Sequence, residues 1–567
     1  MSARFRPEAA AAVAERLRTF DSDPRTYVFG ALVGGIFAVL MALNLDDDLR
    51  HLAWIVVAIS LMAPTAGLTV IATLAVFREP MGLGPLGFHA TVIGACALGV
   101  TGRLMVGGLA RRAHSFRPEL VAIAAFLGLS AFQFLAIATR VTDERELFAR
   151  RQLTEVAGGL LLVVLVGVAV SRPARKFLLA AVVPGITIAG IAAISSLSPS
   201  VIGWLPIGGL VPAQDISARG TGIFYNPNYL GQAMAIGVLL LSNARRLELP
   251  LGLGRRPWLG AIAPLLGLVA SFSRGALFAL VSGVVALYWG RRRRIFAAAV
   301  LGGILVVLVS YPVLLSARHV LNFGPDVALS EEAQQVSDSS RIADLRAGLK
   351  LFLAAPVVGV GYGQFHYESP RYLSGSPVTY PHNTFLQILA EQGLVGLGVF
   401  LVVLLALFVS LSRAGDAYGV VARAMLVAFA VGSLFAEPLT SLQTSAVMWI
   451  VLGAALARAE PDDPPDATSQ YWSPSGVRSP AFEPRAAPQF EREQRPQPMA
   501  MVPHAPFVVR EHLRNDSLVN DVPQVRVIRE RDLGEVRAQR APEPGVGGNR
   551  KALLRAINDL RRQQLPR

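Results

Sequence analysis

The sequence predicts an all-α polytopic membrane protein with about 12–14 transmembrane helices. Hydrophobic residues make up 53% of the 567 positions, charged residues only 16%, and the mean hydropathy is +0.48. Apolar runs follow one another as far as Ala457, separated by short arginine clusters. After Arg458 the composition changes to a polar, proline-rich tail. These observations predict a membrane domain followed by one tail.

A helix that crosses the hydrocarbon core needs about 20 apolar residues, with about 17 to 25 as the usual range. Pro64 interrupts the apolar region near the start of the chain, because proline removes a backbone donor, and we expect a helix break there. The candidate spans are Tyr27–Leu43, His51–Ala63, Thr65–Phe77, Phe88–Leu109, Glu119–Ala138, Leu153–Val170, Phe177–Ile194, Asn228–Leu241, Trp258–Phe272, Gly275–Trp289, Ile295–Leu315, Thr384–Leu411, Val420–Phe435 and Leu439–Ala457.

Arginine clusters orient the spans, because Lys and Arg near span ends resist translocation. Placing the densest cluster, Arg291–Arg294, on the cytoplasmic side fixes every other loop. Residues 1–26 and the tail, residues 458–567, are then cytoplasmic, and residues 27–457 form the membrane domain. A large loop over residues 316–383 lies outside and is expected to carry short helices.

The external loop Thr139–Gln152 fits this orientation least well, because it carries four arginines. Two interpretations remain open for it: an amphipathic helix at the headgroups, or a site that attracts an anionic lipid or glycan.

The tail is predicted to be largely disordered, because its proline-rich, charged composition cannot bury enough apolar area. Apolar residues at helical spacing within 550–564 predict a terminal amphipathic helix that lies on lipid or docks to an envelope-assembly partner. The basic residues lie between apolar runs and form no basic globular domain, so nucleic-acid binding is not predicted. The single cysteine, Cys96, lies in an apolar run and supports neither a disulfide nor a thiol site.

Three polar motifs each precede a helix that runs inward from the outer face: ARGTGIFYNPNYLG, SFSRGA and YPHNTFLQ. Helix N-termini carry unsatisfied N–H groups and a partial positive charge, which favour anions. Asn226 or Asn228, Ser273 and Asn383 are plausible N-caps, and Pro227 suits a first helical position. With the cations Arg219, Arg274 and His382 added, the outer mouth becomes a candidate phosphate or diphosphate site.

Other polar residues give weaker signals. Asp46 to Asp48, in the first external loop, are either a solvated acidic loop or an acidic base or metal site. Glu391 is nine positions beyond His382, about half a helical turn out of phase, so the two do not form an acid–base dyad on one helix. The sequence contains no nucleotide-binding glycine loop and no His/Cys cluster with metal spacing, so no cofactor or metal is predicted.

The motifs GTGIFYNPNYLGQAMA, SFSRGALFAL, SSRIADLRAGLKLFLAAPVVGVGYGQF and YPHNTFLQILAEQGLVGLGVF resemble the O-antigen ligase and O-antigen polymerase family of bacterial envelopes. The resemblance covers residues 202–435. It implies a GT-C-like, metal-independent inverting glycosyltransferase of the bacterial inner membrane, with its active site facing the periplasm. The implied donor is an undecaprenyl-diphosphate-linked glycan, and the implied acceptor is a lipid or glycan such as lipid A–core.

The same resemblance implies roles for individual residues. Arg219 and Arg274 would contact the donor diphosphate, and His382 would lie at the reaction centre, either as a general base or as a phosphate ligand. Supporting positions would be Asn228, Arg341 and Asn383. Leu345 stands where many members have Trp, which affects the expected acceptor contacts rather than the chemistry.

Alternative functions stay open at this point. A ligase and a repeat-unit polymerase share these motifs. Many short helices and a basic outer mouth also suit a transporter of lipid-linked glycan. A glycosyltransferase that uses Asp46 or Asp48 as base or metal ligand is a further alternative.

Overall fold

The structure, a computed structural model, describes residues 23–42, 46–77, 88–106, 117–138, 143–196, 221–224, 226–253, 256–288, 331–372 and 381–457. All α- and 3₁₀-helical elements in these ranges form one compact unit. No strand occurs in them. The α-helices are α1 Pro24–Ala42, α2 Asp46–Met62, α3 Pro64–Leu74, α4 Phe88–Val106, α5 Pro118–Ala138, α6 Asp143–Ala169, α7 Arg175–Ser195, α8 Pro227–Ser242, α9 Ile262–Ala270, α10 Arg274–Tyr288, α11 Glu331–Ala354, α12 Phe365–Glu368, α13 Thr384–Ala414, α14 Ala417–Gly432 and α15 Leu442–Ala455.

The described helices are those of a membrane protein. Four of them, α5, α6, α7 and α13, are long and apolar enough to span a bilayer, and the described residues contain eight further apolar helical segments of 10–17 residues. This confirms the predicted all-helical membrane fold, while the total of about 12–14 spans stays a prediction. Three predictions lie outside the described residues: those for Arg219, for the span Ile295–Leu315, and for the tail 458–567 with its terminal helix 550–564.

The break predicted at Pro64 is confirmed. Helix α2 ends at Met62, Ala63 has a non-helical backbone, and Pro64 is the first residue of α3. This position suits proline, because the first residues of a helix have no intrahelical partner for their N–H groups.

One predicted loop is helical, which corrects the sequence analysis, and the helix that one interpretation placed within Thr139–Gln152 is present from Asp143. Asp46 to Asp48 form the first turn of α2, and α6 begins at Asp143 rather than at Leu153. Acidic residues open both helices and favour a helix start through the helix dipole. Arg145, in the second of these segments, forms an ion pair with Glu368 at 3.1 Å, so its charge is already paired within the protein.

Close packing through glycine brings the helices together. Helix α15 packs against α6 where a Cβ added to Gly159 would lie 2.4 Å from Trp449 Nε1. Trp449 is fully buried, so the pair fixes the last helix in the middle of the bundle.

A buried ion pair lies at the N-terminal end of α14. Arg175 Nη1 is 2.6 Å from Asp416 Oδ2, and the Arg175 guanidinium lies 3.6 Å from the centroid of the Tyr418 ring. Asp416 also caps α14 by accepting the backbone N–H of Gly419 at 2.7 Å. Both charges are therefore satisfied, which a buried pair requires.

Helix α13 is interrupted at Gly393, and the interruption holds the preceding loop. Gly393 has φ 67° and ψ −165°, a conformation open essentially to glycine alone. The backbone N–H groups of Val360 and Gly361 donate to the carbonyls of Ala390 and Glu391, both at 2.9 Å. The loop after α11 is thus bonded to the exposed backbone of the broken helix.

On the C-terminal side of the break, α13 donates the hydrogen bonds and the loop accepts them. The N–H groups of Leu394 and Val395 donate to the carbonyls of Pro356 and Val357, at 2.9 and 3.2 Å. The Glu391 carboxylate accepts the backbone N–H of Phe365 at 3.1 Å. Glu391 therefore anchors the loop and is not paired with His382, as the sequence analysis expected.

Candidate functional site

A helix begins within each of the three polar motifs, as predicted. The side chain of Asn226 caps α8 by accepting the backbone N–H of Asn228 at 2.8 Å. Asn383 caps α13 by accepting the backbone N–H of Leu386 at 3.0 Å. At the start of α10, the hydroxyl of Ser273 accepts a longer hydrogen bond, of 3.4 Å, from the backbone N–H of Ala276.

These helix starts are packed against one another. A Cβ added to Gly231, in the first turn of α8, would lie 2.7 Å from the hydroxyl of Ser271. A Cβ added to Gly275, in the first turn of α10, would lie 2.4 Å from the Cβ of Phe435. The starts of α8 and α10 and the turn after α14 therefore meet at one corner of the bundle.

The turn that carries His382 is bonded to the same corner. The backbone N–H of Thr384 donates to the carbonyl of Ser433 at 2.8 Å, and its hydroxyl donates to the carbonyl of Ala436 at 3.1 Å. The backbone N–H of His382 donates to the carboxylate of Glu437. Two turns that are far apart in sequence thus form one unit.

His382 has an unusual backbone conformation. Its φ is +48°, and among the described non-glycine residues only Glu248 and Phe272 share a positive φ. Phe272 belongs to the SFSRGA motif, so two of the three residues flank the corner. Non-glycine residues in this region cost about 1–3 kcal/mol and persist where surrounding contacts hold them, often at functional sites.

The imidazole of His382 is neutral at physiological pH. Burial, and next the positive charge of Arg341, lower the pKa of His382 to about 4. Its Nδ1 lies 3.9 Å from Glu437 Oε1, which is beyond hydrogen-bond distance. A neutral imidazole can accept a proton or a hydrogen bond on one nitrogen.

Glu437 is a buried carboxylate that the sequence analysis missed. It is 3% exposed and accepts the Tyr229 hydroxyl at 3.2 Å as well as the His382 backbone. Burial raises its pKa to about 7, and the charge of Asp344, itself 5% exposed, adds to this. Asp344 has its own pKa raised to about 6 by burial.

A sequence signal for Glu437 existed. It is the one charged residue between Arg423 and Arg458, inside an otherwise apolar region. An ionisable residue in such a place is by itself a pointer to function.

We expect the rate of the site's reaction to fall as the pH drops through about 7. Glu437 accepts two donors, which its ionised form does best, and its pKa of about 7 sets the midpoint. In a profile of kcat/KM, which reports the free protein, His382 with its pKa near 4 adds no inflection between pH 5.5 and 8. A pH–rate profile of the purified protein checks this, and Glu437→Gln removes the inflection near 7. A wild-type profile that is flat across this range contradicts the assignment.

Most of the predicted site residues lie on the elements that meet at this corner or beside it. Arg274 is the first residue of α10 and is exposed, while the side chain of Asn228, in the first turn of α8, is buried. Arg341 lies on α11, where its charge acts on His382. Arg219 lies outside the described residues. Among the described residues, no group of three His, Cys, Asp or Glu side chains is placed to hold a metal ion.

The comparison with protein families supports the resemblance found in the motifs. Residues 259–401 match the family model described as O-antigen ligase. The matched range contains Arg274, Arg341, His382 and Asn383 and ends before Glu437. No curated protein matches the chain.

Proposed function

We propose, from the O-antigen ligase match of residues 259–401, that this chain is a membrane glycosyltransferase that moves a glycan from an undecaprenyl-diphosphate carrier to a surface acceptor such as lipid A–core. The observation that carries the proposal is the corner where the start of α10, which begins at Arg274, and the His382 turn both contact the turn after α14; Arg274 and His382 lie inside the matched segment. The arginine distribution supports placing this corner on the periplasmic face of the inner membrane, with both termini cytoplasmic.

The donor's diphosphate is the group that this corner suits best. Negative charge develops on the diphosphate as it leaves the anomeric carbon, and fixed cations with helix N-termini stabilise such charge. Arg274 opens α10, and Arg341 faces the histidine from α11. In this proposal Arg219 adds a further cation and Asn228 supports the diphosphate, so the leaving group is stabilised without a metal.

His382 is proposed to accept the proton of the acceptor hydroxyl as that oxygen attacks the anomeric carbon. With a pKa near 4 in the empty site the imidazole is a weak base. A bound diphosphate brings negative charge next to Arg341 and offsets its effect, which raises the pKa of His382. The histidine then becomes an effective base when the donor is in place. Asn383 holds the turn as the cap of α13.

The chain length of the lipid-linked glycan in a deletion strain tests the function. We expect deletion to leave long undecaprenyl-linked chains that never reach the acceptor. Single undecaprenyl-linked repeat units would instead indicate a polymerase of the same family. A normal surface glycan would contradict both.

A second measurement separates glycan transfer from transport. We expect purified protein with lipid-linked glycan and acceptor to form a new glycosidic linkage without an ion gradient and in the presence of EDTA. Movement of the lipid without linkage formation would favour a transporter. Loss of transfer in EDTA, together with its loss in Asp48→Asn, would favour the acidic-loop alternative.

A further inference from the structure

Helix α11 exposes a row of large apolar side chains along its outward face. The exposed fractions are 54% for Ile342, 53% for Leu345, 48% for Leu349 and 65% for Leu353. Their spacing of three and four residues places them on one side of the helix. These four residues are called the outer stripe here.

The opposite face of α11, which also carries the buried Asp344, is already occupied. Ala347, Gly348 and Leu351 are buried, and a Cβ added to Gly348 would lie 2.7 Å from a side-chain carbon of Leu386 in the first turn of α13. A helix in water usually has one apolar face, so the outer stripe calls for a partner of its own.

The contacts of α11 show that it descends beside α13. Near its middle, Arg341 acts electrostatically on His382, just ahead of α13. One to two turns further, Gly348 meets Leu386. Beyond its end, Val357 is bonded to Val395, past the helix break.

The apolar length of α13 sets the depth of these contacts. From Gly393 to Ser412 the sequence has no charged residue, and this length of about 20 residues matches the hydrocarbon thickness. Gly393 therefore lies near the boundary between headgroups and hydrocarbon. Val357 accepts a hydrogen bond from α13 at this level, and Val358 follows it in the chain. Both valine side chains are 59% exposed.

Three cations border the outer stripe. At about 100° per residue, Arg346 and Lys350 lie along one edge of it, while Arg341 lies near the other edge, towards His382. The side chains of Arg346 and Lys350 are exposed. An apolar row with cations beside it at headgroup depth fits an anionic lipid, whose acyl chains and phosphate match the two chemistries.

We propose that α11 is inserted at a slant into the leaflet at the N-terminal end of α13 and binds an anionic phospholipid there. The outer stripe contacts the acyl chains, and Arg346 and Lys350 bind the phosphate. In this proposal the external loop that contains α11 also forms part of the membrane contact surface.

Spin labels along the outer stripe test the insertion in the full-length protein, reconstituted in lipid nanodiscs. Single cysteines at Leu345, Leu349 and Leu353 are labelled in a Cys96→Ala background, and power saturation compares collisions with oxygen and with a water-soluble nickel chelate. We expect oxygen preference to rise from position 345 to 353. Labels at Leu401, in the middle of α13, and at Arg371, on the exposed loop, give the lipid and water references.

A profile equal to that of Arg371 at all three positions would overturn the insertion. The lipid's charge is tested by comparing phosphatidylglycerol with phosphatidylcholine nanodiscs. We expect the label at Leu349 to lie deeper with phosphatidylglycerol and the difference to be lost in Arg346→Gln/Lys350→Gln, but kept in Arg256→Gln, a control on another exposed segment. Equal depth in both lipids for the unsubstituted residues would overturn the anionic preference.

Discussion

Replacing His382 with asparagine lowers glycan transfer by about 100-fold or more, while the protein keeps its thermal midpoint. The backbone at this position has a φ of +48°, which asparagine tolerates better than most residues. The variant therefore removes the imidazole without adding backbone strain. Transfer is measured with purified protein, lipid-linked glycan donor and acceptor.

His382→Ala serves as the matched comparison. It also lacks the imidazole, but alanine in the left-handed region destabilises the turn, so we expect equal loss of transfer and a lower thermal midpoint. The backbone bond to Glu437 is available to both variants. Undiminished transfer in His382→Asn would remove the histidine from the reaction centre.

Replacing Gly393 with alanine lowers the free energy of unfolding by about 3 kcal/mol or more, because the new side chain meets both strain and a clash. Only glycine readily adopts φ 67° with ψ −165°, and a Cβ here would lie 2.2 Å from the carbonyl oxygen of Val357. The loop bonded to the break, which leads to α12, is expected to detach. Transfer falls as well, since Arg341 on α11 loses its position near His382.

Gly398→Ala is the control for this prediction. It lies five residues further along α13, where an added Cβ meets nothing within 4 Å. Alanine favours a helix over glycine by up to about 1 kcal/mol, so this variant is expected to be neutral or more stable. Thermal unfolding in detergent with both variants measures the difference. Equal midpoints for Gly393→Ala and wild type would show that the break is not a fixed feature.

Local rules predicted much of the fold. The break at Pro64 and the caps Asn226 and Asn383 depend on neighbours within a few residues, and the sequence shows those neighbours directly. The span of α6 was predicted from Leu153, ten residues after the helix begins, because a count of apolar residues finds only the membrane segment; the polar turns before it were predicted as a separate amphipathic helix in one of two interpretations.

The site was predicted in part for a related reason. Helix polarity brought Arg274 and His382 to one face without any contact being known. Glu437 was missed because its importance comes from a turn that folds back on a segment 55 positions earlier. The packing of α11 along α13 was not predicted either, since the sequence indicates an external helix there, and only the bonds around Gly393 show that it runs beside α13.

The hydrogen bonds between the His382 turn and the turn at Ser433 to Glu437 also bear on the order of synthesis. A nascent chain that has emerged only as far as the end of the family-matched segment, at residue 401, carries His382 without the carbonyls and the carboxylate that hold its turn. The histidine's backbone acquires its fixed geometry only when α14 has been made and has returned to the same face. Under the proposed function, a partly synthesised protein therefore lacks the fixed His382 turn on which transfer depends.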